Sequence, residues 1–165
     1  MQKEKFKELN NEQLAYLAGF LEGDGCILAQ IVKGGQYRYK YTIRLNVVFY
    51  QKKNKHWYFL KLKELIGVGS IRFRNDDMIE YSISGAKMVN SFLGLLFPYL
   101  ILKKNLAVLI FQIIKALNDV QNEADFLEVC KLVDKVAEHT YSKKRKNTSL
   151  VVKNSLILPV ETEKL

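Results

Sequence analysis

Asp24 is the residue whose type and placement most suggest chemistry. It closes an apolar helical stretch and is followed by Gly25. Upstream of it, Ala15, Gly19 and Gly23 recur every four residues, so a helix places them on one face. A row of small residues lets two helix backbones approach closely. An acid at that end of a helix faces the negative pole of the macrodipole, a cost of about 0.3–1 kcal/mol. Pairing two such helices about a two-fold axis also brings two Asp24 carboxylates together, and like charges repel. Divalent cations relieve both effects, so the placement reads as a metal site. Without residues 17–23 before it, an Asp-Gly pair is only a turn.

The elements that must position this acid can be read from periodicity. Asn10 or Asn11 can cap a helix running to about residue 22 or 23, with Leu14, Leu17, Ala18 and Leu21 as its apolar stripe. A strand over 26–33 follows, and Gly34-Gly35 suits a tight hairpin turn with positive φ. The return strand, 37–50, alternates cleanly. Tyr37, Tyr39, Tyr41, Ile43, Leu45, Val47 and Phe49 fall on one face; Arg38, Lys40, Thr42, Arg44, Asn46, Val48 and Tyr50 fall on the other. Fourteen residues at ~3.3 Å each span roughly 45 Å.

A helix over 54–66 is stopped by Gly67, and a second hairpin joins 68–74 to 79–84 through Asn75-Asp76-Asp77. Ser84 can cap a helix ending before Pro98. Helices near 103–117 and 122–138 come next, then the run Lys143-Lys144-Arg145-Lys146 and a short helix from Thr148. The order is an αββαββα core followed by helices. It predicts an α+β fold with a four-stranded antiparallel sheet, its greasy face covered by helices and its polar face open. Residues 12–157 read as a single domain, with tails at 1–11 and 158–165.

Charge says what the open face meets. The chain of 165 residues carries 26 Lys and Arg against 17 Asp and Glu, net +9. Residues 30–75 hold eleven Lys or Arg and one acid, Glu64, which is more than the whole excess. Solvated faces usually mix charge signs, so a nearly pure cationic face points to a polyanion, nucleic acid before membrane. A two-stranded ribbon fits the major groove, where alternate side chains reach base edges. Aromatic stacking on RNA is a poor fit, because Tyr37, Tyr39 and Tyr41 share the apolar parity.

Other classes lack support. Apolar residues make up 48% and aromatics 12%, enough for a core and against a disordered chain. Cys26 and Cys130 are far apart with no Cys/His cluster, so neither a zinc site nor a disulfide framework is expected; both read as core thiols in a reducing compartment. The first residues lack a secretory apolar run, and their acids argue against a transit peptide. The greasiest stretch, 92–102, is too short to span a bilayer, so no membrane partner is expected. His56 and His139 are isolated, which gives an H-N-H nuclease site no support.

The stretch Leu17-Ala18-Gly19-Phe20-Leu21-Glu22-Gly23-Asp24-Gly25 resembles the signature of LAGLIDADG homing endonucleases. It departs from the motif conservatively, with Phe20 for Leu, Leu21 for Ile, Glu22 for Asp and Gly23 for Ala. The single motif, the length, the element order and Phe126-Leu127-Glu128-Val129-Cys130 resemble the homodimeric group encoded in algal organelle introns, over residues ~12 to ~150. The resemblance implies a homodimer joined through Ala15, Gly19, Phe20 and Gly23. It would cut a long pseudo-palindromic double-stranded DNA site, leave 3′ overhangs and promote intron homing.

The resemblance also implies the site. Asp24 and the carbonyl of Gly23 would bind Mg²⁺, with Mn²⁺ as a substitute and no small-molecule cofactor. Gln51 would order water, Lys55 would join the solvent network, and Lys103 would stabilise charge at the scissile phosphate. Base and groove contacts would come from Leu28, Gln30, Val32, Lys33, Gln36, Tyr37, Arg38, Lys40, Thr42, Arg44 and Val48 on the first hairpin, and from Ser70, Arg72, Arg74 and Glu80 on the second. Arg44 and Val48 stand where relatives often carry polar readers, so the target should differ from theirs. Ser142, Lys143, Lys144, Lys146 and Asn147 would contact phosphates. A nuclease-inactive relative, acting as an RNA maturase or DNA-binding regulator, is the alternative. Lys outnumbers Arg 21 to 5, as A·T-rich genomes produce, which suggests an organelle, chloroplast before mitochondrion.

Overall fold

The computed structural model describes residues 5–141 and 144–157. Helix α1 is Asn11–Asp24, and Asn10 is its N-cap: its side chain accepts the Gln13 N–H while the Gln13 side chain accepts the Asn10 N–H. Strands β1 (Gly25–Lys33) and β2 (Tyr41–Lys52) follow. A 3₁₀ turn, Lys53–Lys55, leads into α2 (His56–Ile66), which ends where Gly67 takes a φ of 88° that a side chain would disfavour. Then come β3 (Ser70–Phe73), β4 (Met78–Ser84), α3 (Ala86–Leu96), α4 (Lys104–Asn118), α5 (Glu123–Lys135) and α6 (Ser149–Ile157). The four strands form one sheet in the order β1-β2-β4-β3, with β4 antiparallel to both β2 and β3. This is the α+β, four-stranded plan that the alternation predicts.

Three local expectations fail. The return strand does not begin at residue 37. Lys40 takes a left-handed φ of 61°, and the loop closes on itself through Gly34 N–H to Lys40 O and Lys40 N–H to Tyr37 O. Tyr37 and Tyr39 therefore precede the strand, and the left-handed residue of the turn is Lys40 rather than Gly34 or Gly35. Similarly, Ser84 ends β4 instead of capping α3; the cap position is Gly85, at φ 94°. Finally, the helix expected over 122–138 stops being α-helical at Lys135 and finishes as a 3₁₀ turn, Val136–His139.

The chain clusters into two compact units. One comprises the residues up to Leu28 with Leu45–Val108; the other comprises Ala29–Arg44 with the residues from Leu109 onward. In the first unit Leu17, Ala18 and Leu21 of α1 are fully buried. Phe49 lies at its centre, stacked on Phe20 at 5.0 Å and on Tyr81 at 6.1 Å, with Phe92 edge-on at 6.3 Å. Burial of each such ring contributes about 1.5–3 kcal/mol. Phe6 stacks on Phe92 and the Lys7 N–H donates to Ile66 O, which fastens residues before α1 to this core.

In the second unit α5 packs on α6. Tyr39 stacks on Phe126 at 5.0 Å, and the Asp134 carboxylate accepts the Ser149 N–H at the start of α6. The segment before α6 is fastened by side chains. Arg145 donates to the carbonyls of Ala29 and Val133, each at 3.1 Å, and the Asn147 amide donates to Ile31 O at 2.9 Å.

Candidate active site and nucleic-acid interface

The end of α1 is an acidic corner. Its last turn carries Glu22 and Asp24 and no basic residue of its own. Asp24 is exposed, at the junction of α1 with β1. Gln51, one residue from the end of β2, donates Nε2–H to Asp24 Oδ2 at 2.7 Å. One Asp24 oxygen is thereby oriented, and the carboxylate as a whole stays accessible. Lys103, just before α4, donates from Nζ to the Glu22 carbonyl at 2.8 Å. Lys55, in the 3₁₀ turn before α2, is exposed. Asp24–Gln51 is thus a direct pair. Lys103 reaches the same helix end two residues from Asp24, and Lys55 sits one short turn beyond Gln51 along the chain.

This donor set fits a hard cation. Among the described residues no group of three or more His, Cys, Asp or Glu gathers in one place, which leaves no soft or fully protein-enclosed metal cage. What exists is one exposed carboxylate beside the exposed residue Gly23, at the negative end of a helix. Mg²⁺ keeps several waters and takes one or two carboxylates together with phosphate oxygens, so Asp24 and the Gly23 carbonyl suit it. Cys26, two residues further, is half-buried; burial raises its thiol pKa and Lys103 opposes the shift. That keeps it a thiol and a poor ligand.

Along α1 the face opposite the core holds Ala15, Gly19 and Gly23, all exposed. A Cβ built on Gly19 or Gly23 meets no atom within 4 Å. Glycine inside a helix costs about 0.5–1 kcal/mol relative to alanine, and packing among the described residues gives no reason for it at either position. Phe20, by contrast, is half-buried against Phe49 and Tyr58. Tyr16, 56% exposed, hydrogen-bonds Tyr58 at 2.7 Å between hydroxyls. Burial, then that hydrogen bond, pushes the Tyr58 hydroxyl well above the usual tyrosine range.

The sheet residues divide into free and committed groups. In the first unit Glu80 is buried and lies opposite both Tyr50 of β2 and Arg72 of β3. Its Oε1 accepts Arg72 Nε–H at 2.6 Å, and its Oε2 lies 3.8 Å from Arg74. Arg74 in turn makes a two-pronged pair with Asp76, at 3.1 and 2.8 Å. The hydrogen bond to Glu80 raises the Arg72 pKa, and the one from Arg74 lowers that of Asp76. Glu80 therefore orients arginines, while Arg72 stays exposed over an open hollow lined by Arg72, Phe73, Arg74, Asn75 and Asp76. Ser70 hydrogen-bonds Ser82, Leu28 is half-buried, and Val48 is only 5% exposed despite its parity with the polar face.

In the second unit Gln30, Lys33, Gln36, Arg38, Lys40 and Arg44 are exposed, and Val32, Tyr37 and Thr42 are half-buried. Arg44 donates to the Tyr37 hydroxyl at 3.1 Å, and Arg38 lies over the Tyr39 ring at 5.2 Å. Lys144 and Lys146 are exposed. The Asn147 amide is already engaged by Ile31 O. Ser142 and Lys143 lie outside the described residues. Three residues were not among the expected ones. Glu22 receives the Lys103 loop, Asp76 holds Arg74, and Arg145 is tied to two carbonyls. Burial lowers the Arg145 pKa, with Asp134 opposing it. A signal for Asp76 was available, since an acid two residues after Arg74 in a turn is within its reach; Glu22 and Arg145 act on partners far along the chain.

A single helix ending in an exposed, glutamine-held aspartate, followed by two basic hairpins of one sheet, defines a LAGLIDADG-type nuclease fold. Residues 17–117 match the LAGLIDADG endonuclease family, and the chain belongs to it. It is 41% identical over 145 residues to DNA endonuclease I-CreI of Chlamydomonas reinhardtii, covering 87% of this chain and 88% of that one. It is 39% identical over 133 residues to DNA endonuclease I-CvuI of Chlorella vulgaris, covering 81% and 83%. Crystal structures of I-CvuI match with a TM-score of 0.83 at 37% identity over 88% of this chain and 92% of that one. One holds I-CvuI with uncleaved I-CreI target in the presence of 2 mM Mg, another with its own target in 2 mM Ca. The archaeal I-Vdi141I, at 18% identity and a TM-score of 0.76, shares the fold. Among the described residues no helix is long and apolar enough to cross a membrane.

Proposed function

We propose that this chain is a sequence-specific DNA homing endonuclease that acts as a homodimer and hydrolyses phosphodiester bonds with Mg²⁺. The observation that carries the reading is the Asp24–Gln51 hydrogen bond at the end of a helix whose exposed glycines, Gly19 and Gly23, have no neighbour within Cβ reach among the described residues. Two chains joined through Ala15, Gly19 and Gly23 would bring two such ends to one axis, one per DNA strand. Two-fold symmetry then calls for a pseudo-palindromic site. Strand β2 alone is twelve residues, roughly 40 Å at ~3.3 Å each, so two copies suit a site on the order of twenty base pairs.

Asp24 and the Gly23 carbonyl would hold the cation. When bound, Mg²⁺ supplies charge neutralisation at the scissile phosphate and makes water a better nucleophile. The chain does the rest. Gln51 fixes one Asp24 oxygen and keeps its own carbonyl for a water. The Lys103 ammonium, which donates to Glu22 O beside the same corner, would balance charge developing at the scissile phosphate. Lys55 adds a cation at the rim. The cut would leave 3′ overhangs and serve intron homing, as the resemblance to the family implies. The nuclease-inactive alternative would leave Asp24 with no reason to be exposed and oriented.

DNA is held by the exposed cations of each unit: Arg38, Lys40 and Arg44 in one, Arg72 and Arg74 in the other, with Lys144 and Lys146 on phosphates. Relatives from two algae and the excess of Lys over Arg support an organelle gene, chloroplast first. The test is Asp24→Asn. With a target selected from a randomised duplex library, the variant should bind in Ca²⁺ as the parent does and leave plasmid uncut in Mg²⁺ and in Mn²⁺. Retained cleavage overturns the site, and a monomer bound to target overturns the dimer.

A further inference from the structure

Glu22 is the second acid of the motif. It is half-buried, and three hydrogen bonds join it to a loop about eighty residues away. Its Oε1 accepts the backbone N–H of Ile101 at 2.7 Å and of Lys103 at 3.0 Å. Its own carbonyl accepts the Lys103 ammonium at 2.8 Å. Both ends of Lys103 are therefore tied to one residue, two positions before Asp24. The tie also solves a problem at each helix end. At the end of α1 Leu21 O accepts the Gly25 N–H, but the carbonyls after it lack helical partners and no cation in its own last turn offsets the dipole there; Lys103 supplies a donor to Glu22 O and that charge. The amides before α4 are orphans too, and Lys103 O already accepts the Ala107 N–H as the first bond of that helix. The Glu22 carboxylate takes the amides that the helix cannot.

We propose that Glu22 is a positioning residue for cleavage, holding the Lys103 ammonium at the Asp24 corner by gripping the loop that carries it. This rests on the reading of Lys103 as the cation at the scissile phosphate. Loose, the loop would let Lys103 swing outward: its neighbours Ile101 and Leu102 are 81% and 82% exposed and offer no packing to hold it. An error of about 1 Å in placing a catalytic group can cost on the order of a hundredfold in rate.

The experiment is a double-mutant cycle on the full chain: Glu22→Ala, Lys103→Ala and both together. It is read as single-turnover cleavage in Mg²⁺, target affinity in Ca²⁺ and melting temperature. Lys103→Ala should slow cleavage by about a hundredfold. Glu22→Ala should slow it by about tenfold or more with target affinity unchanged, and should add less than about threefold once Lys103 is gone. Glu22→Gln keeps an oxygen that can accept both amides and should recover most of the rate. It also keeps the proposal testable if Glu22→Ala does not fold. Full additivity of the two losses, or a Glu22→Gln variant as slow as Glu22→Ala while melting as the parent does, overturns the positioning role and leaves Lys103 standing. Normal cleavage by Lys103→Ala overturns the reading of Lys103 itself, and the proposal with it.

Discussion

Helix α1 and the segment 144–147 divide their residues in the same way but by different physics. In α1, Leu14, Leu17, Ala18 and Leu21 are buried, while Ala15, Gly19 and Gly23 on the other side are exposed, and a Cβ added at either glycine meets no atom of the described residues within 4 Å. In 144–147, Arg145 and Asn147 bond backbone carbonyls of their own unit, while Lys144 and Lys146 are exposed. One helix face and one pair of side chains build the fold; the other face and the other pair are free for a second molecule. The difference lies in currency: α1 sorts by size and packing, the basic segment by hydrogen bonding. A substitution on the committed side should change stability and leave recognition alone, and one on the free side should do the reverse.

The sharpest break would come from Gly19→Leu. Helix propensity favours leucine over glycine by roughly 0.5–1 kcal/mol, and a Cβ there meets no atom of the described residues within 4 Å, so the single chain should still fold. Yet the close approach of two helices is lost, so sedimentation should report a monomer and cleavage should fall below detection. A dimer that still cuts would show that the small-residue face is not the seam. Leu17→Ala tests the opposite face. Leu17 is fully buried, and truncation should cost about 2–5 kcal/mol in urea unfolding, with cleavage per folded molecule retained. A loss of activity without a loss of stability would erase the contrast between the two faces.

Much of this division was legible in residue types. The four-residue spacing of Ala15, Gly19 and Gly23 and the apolar stripe of α1 need only helical geometry, and the alternation of β2 from Tyr41 onward needs only strand geometry. Asp24 stood out because an acid is costly at that helix end. Elsewhere neighbours decide. The loop before β2 keeps the alternation of a strand through Tyr37 and Tyr39, and nothing in a lysine announces the left-handed φ at Lys40 that breaks it. Val48 has the parity of the open face but is covered. Glu80 is charged and looks like a base reader, until cross-strand register sets it opposite Arg72. Glu22 and Arg145 grip atoms 79 and 116 residues away, which no local pattern encodes.

Arg145 and Lys144 carry the comparison to its smaller effects. Arg145→Ala leaves the Ala29 and Val133 carbonyls without this donor, at a cost of about 1–3 kcal/mol in unfolding. Its guanidinium is engaged by those two carbonyls, so target affinity should hold and stability is the decisive readout. Lys144→Ala is the mildest change and separates the two roles most cleanly. Lys144 is exposed, so unfolding should not register its loss. If it neutralises one phosphate in each chain, the dimer loses two contacts, and the slope of log affinity against log salt should become shallower by about 1.8, at ~0.9 per contact. The reduction should be the same on target and on unrelated duplex, because a phosphate contact carries no sequence information. An unchanged slope would make Lys144 a solvated side chain and confine the free side of the segment to Lys146.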